Sequence, residues 1–564
     1  MTVYGIDVPI KNAPVLDPGF IPIGAFNAAF LKTAKKPVGI AVERADGQMA
    51  SVHTFIHGTE DRRAADHYYI ERLVKTLLWM KGGFRIYVSG DEDAVEYLRT
   101  VYCAKGQQEF DWDYMANVFE HPFEVVAVGE IPPAKDAPER IGGHLDGCRI
   151  GFDAGGSDRK VSAVVDGESV YSEEVVWFPK TNSDPDYHYD GIVAALKSAA
   201  EHMPRVDAVG VSSAGVYINN RTMNASLFLQ VPKDLFDAKV KDIYIRAITD
   251  TFGDVPYAVV NDGDVSALAG MMSLGEPNVL GIAMGTSEAV GYVDAEGRIT
   301  GWLNELAFVP VDAAPDAMRD EWSGDIGCGV KYFSQDGVIK LAPRAGIELD
   351  ASLSPAEKLK VVQKLMEADD PAAAQVYDSI GTYLGHTLAY YYKLYGMRHV
   401  LLLGRVMSGK GGDRILAEAQ RVLRDEWSGD VGCGVKYFSQ DGVIKLAPRA
   451  GIELDESLSP AEKLKVVQKL MEADDAAAAQ VYDSIGTYLG HTLAYYYKLY
   501  GMRHVLLLGR VMSGKGGDRI LAEAQRVLKD EYPAVADQFI PALPDEKFRR
   551  VGQSAAAASL PALK

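Results

Sequence analysis

Residues Gly151 to Gly167 read GFDAGGSDRKVSAVVDG: two short strands joined by a tight turn at Gly155 and Gly156, with Asp153 at the end of the first strand. Glycines at such a turn permit positive φ and a close approach of the backbone to an anion. Ser157 and Lys160 stand where they can donate to phosphate oxygens, and Asp153 where it can hold a magnesium ion, directly or through water. A plain hairpin needs the same glycines, so this segment alone leaves both readings open.

The segments that follow have the same character. VGVSSAG (Val209 to Gly215) leads to VNDGDVSALAG (Val260 to Gly270), where the apolar run YAVV delivers Asn261 and Asp262 onto the start of a helix. Asp262 there is either an N-cap or a general base that takes a proton from an attacking hydroxyl, and Asp264 competes for the second role. GIAMGTSEAVGYVDAEGRITG (Gly281 to Gly301) sets Gly285, Thr286 and Ser287 between two strands, a hydroxyl-bearing hairpin suited to the other side of a triphosphate.

From Arg319 the chain repeats itself. Arg319 to Leu423 recurs as Arg424 to Leu528 at a constant offset of 105 residues, with differences at Ile326/Val431, Ala351/Glu456 and Pro371/Ala476. Two long copies do not make a solenoid; an in-frame duplication explains them. Each copy predicts a helix (Pro355 to Ala368), a longer helix (Ala372 to Leu394), a strand HVLLL (His399 to Leu403), the loop GRVMSGKGG (Gly404 to Gly412) and a helix from Asp413 to Leu423. A strand, glycine loop and helix start in that order aim backbone N–H groups at one spot. The same loop recurs at Gly509 to Gly517.

Taken in order, these segments resemble the actin-like superfamily of acetate and sugar kinases, and within it the ROK group of glucokinases, hexosamine kinases and sugar-responsive repressors. The resemblance covers Gly151 to Leu423 and the tail VGQSAAAASL (Val551 to Leu560). It implies an α/β fold of two ribonuclease-H-like actin-type lobes around a nucleotide cleft, with ATP and Mg as cofactors and a sugar-like hydroxyl as acceptor. Gly155, Gly156, Ser157 and Lys160 then belong to the first phosphate motif, with Asp153 as the metal-side carboxylate, and Gly285, Thr286 and Ser287 belong to the second. The glycines of one loop copy (Gly404, Gly411 and Gly412, or Gly509, Gly516 and Gly517) border the adenosine. Asp262 matches the catalytic aspartate, and Asn261, Glu305 and Asn224 match sugar contacts. Two departures stand out: Phe308 replaces a histidine of the sugar pocket, and the cysteine-rich zinc motif is reduced to GCGVKYFSQ around Cys328 and Cys433, which predicts no structural zinc.

On this reading residues 1–146 are an N-terminal α/β domain of unknown role and 147–277 the first lobe. Residues 278–423 are the second lobe with copy one, 424–528 copy two, and 529–564 a C-terminal segment packing back on the core. The N-terminal part predicts a hairpin (Pro37 to His57, turning at Ala45 to Gly47), a helix (Ala64 to Met80), a strand (Phe84 to Gly90) and a helix near Ala94 to Tyr102. One cleft needs one copy, so the expectation is one ATP site per chain, with the surplus copy appended or pairing chains into a homo-oligomer.

The whole chain has 564 residues, 48% of them hydrophobic and 24% charged, with a formal net charge of -20. That charge disfavours nucleic acid and anionic membranes as partners. Four cysteines, two of them repeat equivalents, give no disulfide framework and fit a cytoplasmic protein. The uncharged run Gly19 to Leu31 is too short to span a bilayer.

Two rivals remain open. GRVMSGKGG approaches the P-loop pattern, but Gly411 stands where a magnesium-binding hydroxyl belongs. A catalytically silent sugar- or nucleotide-binding regulator of the same fold is the other; an ATPase that activates a partner enzyme lacks its iron–sulfur cysteines here. The tyrosine-rich LAYYYKLY (Leu388 to Tyr395) reads as helix packing.

Overall fold

The computed structural model describes residues 1–136, 142, 144–427, 437–455, 458–500, 504–507, 510–538 and 540–543. The chain divides into two compact units, Met1–Trp427 and Ser428–Lys564. Both are mixed α/β.

In the first unit, β1 (Thr2–Val3) and β2 (Ile6–Asp7) form a small ladder ahead of α1 (Ile23–Thr33). A four-stranded sheet follows in the order β4-β3-β5-β6, from β3 (Lys36–Arg44), β4 (Gln48–Ile56), β5 (Arg85–Ser89) and β6 (Glu124–Ala127). Helices α2 (Arg63–Lys81), α3 (Glu92–Val101) and α4 (Glu109–Phe119) join its strands. The hairpin of β3 and β4 turns at Ala45–Gly47, where Asp46 adopts φ 57°.

The second sheet has the order β13-β10-β7-β8-β9. An antiparallel meander of β7 (Cys148–Ala154), β8 (Asp158–Val165) and β9 (Glu168–Val176) is extended in parallel from β7 by β10 (Ala208–Ser213) and then β13 (Tyr257–Asn261). Helix α5 (Pro185–Ala200), the small ladder of β11 (Val216–Ile218) and β12 (Arg221–Asn224), α6 (Lys233–Leu235) and α7 (Ile243–Phe252) complete this part. Its core gathers Ile150, Phe152, Val161, Ile192, Leu196, Val211 and Ile248. Helix α8 (Asp262–Leu274) leaves the end of β13 and leads to a third sheet of order β15-β14-β16. Here β14 (Val279–Met284) and β15 (Glu288–Val293) form a hairpin, and β16 (His399–Leu403) adds in parallel to β14. Helices α9 (Gln335–Leu341), α10 (Pro355–Glu367), α11 (Pro371–Tyr395) and α12 (Gly409–Val422) come from copy one.

Of the described residues, those within 1–146 keep only a small apolar cluster to themselves, Ala41, Met49 and Ile131. One hydrophobic cluster runs from Val3 through Phe30, Ile70, Trp79 and Leu98 into Leu280, Tyr332, Ile380, Tyr383 and Ala419, so the N-terminal part and copy one share a single interior. Charges tie the same elements. Lys75, 0% exposed, lies 2.7 Å from Asp111 on α4 and 3.1 Å from Asp325 of copy one, while Arg72 pairs with Glu71 and reaches Asp325 at 2.9 Å. These partners hold the Asp325 carboxyl well below the usual range and keep Lys75 charged despite burial. Cys328 lies buried in the same region, its thiol pushed up by burial. Cys433 lies outside the described residues, and among those described no three His, Cys, Asp or Glu side chains form a group able to hold a metal ion. No described helix is long and apolar enough to cross a membrane.

Copy two is the body of the second unit, with helices at Gln440–Leu446, Pro460–Glu472, Ala476–Tyr500 and Gly514–Glu531 around its own apolar cluster. Its strand His504–Leu506 pairs in parallel with Ile540–Ala542, so the described part of the C-terminal segment adds to copy two. The tail VGQSAAAASL lies outside the described residues. The last helix of each repeat starts earlier than the sequence suggests, at Gly409 and Gly514 rather than after the glycines. The Glu367 carboxylate accepts the Lys410 N–H at 2.9 Å, and Glu472 does the same for Lys515, so a carboxylate already fills the position a helix start offers an anion.

Candidate functional site

The site forms where β13 ends and α8 begins. Asn261 caps α8: its Oδ1 accepts the Gly263 N–H at 2.7 Å, and its Nδ2 donates to Gly215 O at 2.8 Å. The Asp262 carboxylate also accepts from the backbone of this first turn, at Gly263 and at its own residue. The first turn of α8 is pressed on β15, so closely that a methyl group on Gly263 would stand 2.5 Å from Val290 O. Asp264, 4% exposed, fastens that contact by accepting from Tyr292 N and Asn304 Nδ2, each at 3.0 Å. Asp264 is thus a buried tie between α8 and the third sheet, and Asp262 stands at the junction of the two sheets.

Carboxylates converge on that junction. Burial is the main cause that raises the Asp262 carboxyl and Asp153 adds to it, while backbone hydrogen bonds from Gly263 and Asp262 and, least, the charge of Lys180 oppose it. Burial, with the charges of Asp262 and Asp264, pushes the half-buried Glu305 up to about 7. Asp153 sits at the end of β7, with Oδ1 accepting from Ser212 Oγ at 3.0 Å. Its carboxylate is partly exposed, and its charge acts on Asp262.

The first hairpin brings Gly155, Gly156, Ser157 and Lys160 together, but Asp158 occupies the donors. Ser157 Oγ donates to it at 3.0 Å and Lys160 Nζ at 2.6 Å. In the second hairpin Gly285 N–H donates to Ser287 O at 2.9 Å, which closes the turn and leaves Thr286 and Ser287 exposed. Gly404, at φ 94°, passes against Met284 O beside Gly285, an approach that admits no side chain. Gly411 and Gly412 lie elsewhere: both are buried in the first turn of α12, Gly411 on the Tyr377 ring and Gly412 on Met407 O, and Gly516 and Gly517 repeat this on Tyr482 and Met512. At these four glycines the space that a side chain would take is already filled. Gly509 lies outside the described residues. Lys410 Nζ is bound to Asp369 at 2.8 Å, which removes the cation a P-loop would need.

On the acceptor side, Asn224 ends β12 within reach of the Tyr114 hydroxyl, and the Glu305 charge acts on that hydroxyl. Tyr114 of α4 is a site residue that the sequence reading missed, because its helix lies in the segment read as a separate domain. Phe308 packs on Trp79 at 4.2 Å and near Trp322 at 5.3 Å, so an aromatic cluster stands behind Glu305. Two cavities flank the junction. One, about 710 Å³, is lined by Asp153, Lys160, Ser212 and Val260; the other, about 310 Å³, by Asn261, Asp264 and Gly215.

Glu288, first residue of β15, is a second residue the sequence reading missed. It is 3% exposed, neither carboxyl oxygen has a partner among the described residues, and burial with the Glu305 charge pushes it up to about 8. Glu288, Glu305 and Asp264 (about 7) thus keep protons in the folded chain that the unfolded chain releases near pH 4. Their contribution to stability is full below about pH 4 and is lost as pH rises through about 7–8. Urea unfolding of the first unit should therefore show stability falling between pH 5 and 8. Glu288→Gln should recover about 1–3 kcal/mol at pH 8 and change little at pH 5. A variant that behaves like the wild type at both pH values would show that Glu288 is not the proton holder.

No family model matches the chain, and no curated protein matches it. Solved structures do. A ROK hexokinase from Thermus thermophilus is 19% identical over 49% of this chain and 89% of its own, with a TM-score of 0.40. A ROK family glucokinase from Streptomyces griseus, in complex with glucose and AMPPNP, is 21% identical over 50% and 91%, with a TM-score of 0.38. A ROK family transcriptional regulator, described as a homologue of the E. coli MLC protein, is 17% identical over 50% and 71%, with a TM-score of 0.41.

Proposed function

We propose that the first unit is an ATP-dependent phosphotransferase of the actin-like, ROK sugar-kinase type, acting on a sugar or sugar-like hydroxyl. The observation that carries this reading is Asp262: a carboxylate at the start of α8, raised by burial, and set between the Asp153 side of the first hairpin and Glu305. Asp153 would hold magnesium, and the two hairpins, with Gly404 beside the second, would hold the triphosphate. Glu305 and Asn224, with Tyr114, would bind acceptor hydroxyls. Bound Mg-ATP supplies the phosphoryl group; Asp262 takes the acceptor proton, and its raised carboxyl is better matched to that work than an ordinary aspartate.

Phe308 narrows the acceptor. A ring cannot donate or accept as an imidazole does, so a sugar that needs a partner at that point binds poorly. The test is magnesium-dependent ADP release over a panel of hexoses, hexosamines and polyols. Stimulation by one acceptor supports the kinase; ATP binding with no stimulation by any of them favours the silent regulator.

A further inference from the structure

The turn after β9 is stitched to the first hairpin. Trp177, 2% exposed, donates its backbone N–H to Ser157 O at 3.1 Å and its Nε1 to Gly155 O at 2.8 Å. Phe178 N–H donates to the Tyr187 hydroxyl at 3.0 Å. The ring of buried His188 stands with one nitrogen 3.0 Å from Pro179 O and the other 2.9 Å from Asp184 O. The short 3₁₀ turn Pro179–Thr181 is thereby held in place, and it presents two exposed side chains, of which Lys180 carries the charge.

Lys180 lies over the hairpin. A methyl group built on Gly156 would stand 2.5 Å from its Cε and 2.8 Å from its Nζ. It also attracts the Asp262 carboxylate. Among the described residues no carboxylate forms an ion pair with it, whereas Lys160 is held by Asp158 at 2.6 Å and Arg159 lies toward the Trp177 ring. The surroundings carry Asp153, Asp158 and Asp262, so a polyanion entering there needs a cation whose charge is not already spent.

We propose that Lys180, and not Lys160, is the cation that meets the terminal phosphate of a nucleoside triphosphate on the first hairpin. The assignment rests on the kinase reading. The transferred group must pass between Gly156 and Asp262; Lys180 lies against the first, and its charge acts on the second. In the step, the acceptor oxygen bonds to the γ-phosphorus as its proton passes to Asp262. The bond from that phosphorus to the β–γ bridging oxygen breaks, and its electron pair leaves with ADP. Lys180 stays protonated and donates to the γ-phosphoryl oxygens as charge shifts among them.

The test uses the full chain with Lys180→Met, Lys180→Arg and Lys160→Met, and calorimetry with AMPPNP, ADP and adenosine in the presence of magnesium. Both lysines are exposed, so each variant keeps the fold, which circular dichroism checks. Lys180→Met should weaken AMPPNP about 10–100-fold and ADP by less than about 3-fold, and leave adenosine unchanged. Lys180→Arg should restore most of the loss, and Lys160→Met should cost less than about 3-fold. Equal AMPPNP affinity in the wild type and Lys180→Met, or a larger loss in Lys160→Met, overturns the assignment alone. A wild type that binds no AMPPNP overturns the kinase reading together with it.

Discussion

Asp262→Asn is expected to lower acceptor-stimulated ADP release by about 10²–10⁴-fold while AMPPNP affinity stays within about 3-fold. The substitution keeps the shape of the side chain and removes its ability to take a proton. It should not unfold α8, because the cap is the Asn261 side chain and the tie to β15 is Asp264. The residual rate would come from positioning alone. The pH profile gives a second readout. Turnover needs Asp262 ionised, and its carboxyl is raised, so the wild-type rate should climb with pH at a point above the ordinary aspartate range, and the variant should lose that limb. Asp264→Ala provides the contrast: it should lower stability before it alters the rate law, because it leaves Tyr292 N–H and the Asn304 amide without their buried acceptor. If Asp262→Asn keeps more than about a tenth of the wild-type rate, Asp262 is not the base.

The local pieces were legible in the sequence because each is a short-range pattern. The strands around Gly155 and Gly285 and the strand delivering Asn261 onto a helix follow from apolar runs broken by glycine. What joins the pieces was not legible. Asp158 sits inside the first motif, yet nothing in GGSDRK says that it will take the Ser157 and Lys160 donors. Lys180 reaches Gly156 of the same hairpin from 24 residues further along the chain, after two strands. Glu288 alternates with residues of an ordinary hairpin, and only burial of β15 makes it a proton holder. Nothing in the sequence marks Lys75, Asp111 and Asp325 for burial, yet they pair inside the interior that the N-terminal part and copy one share. Gly409 to Gly412 read as a loop, since glycine is a poor helix former; the Tyr377 ring and Glu367 supply the reason they begin a helix.

The duplication allows a comparison that is rare in one chain: the same side chain, flanked by the same sequence, in two environments. Tyr390 is 5% exposed and Tyr391 0%, while their equivalents in copy two, Tyr495 and Tyr496, are 60% and 37% exposed. In copy one the N-terminal part covers this face. Tyr390 packs on Gly24 of α1 and its hydroxyl lies 3.1 Å from Thr76 Oγ1, Phe20 meets the Tyr383 ring at 4.7 Å, and Asp17 accepts from the Tyr383 hydroxyl at 2.7 Å. Tyr390→Ala removes a buried ring from that packing and should destabilise the first unit by about 3–5 kcal/mol. Tyr495→Ala changes an exposed side chain and should cost less than about 0.5 kcal/mol. Urea unfolding followed by the tryptophans reads the first unit, since all six lie within residues 1–427, and hydrogen exchange in copy two reads the second unit for Tyr495→Ala. The helix propensity of the two positions is the same, so it cancels from the comparison, and the difference reports burial alone. Equal losses at Tyr390 and Tyr495 would mean that the N-terminal part docks on either copy, and the division of labour between the repeats would have to be given up.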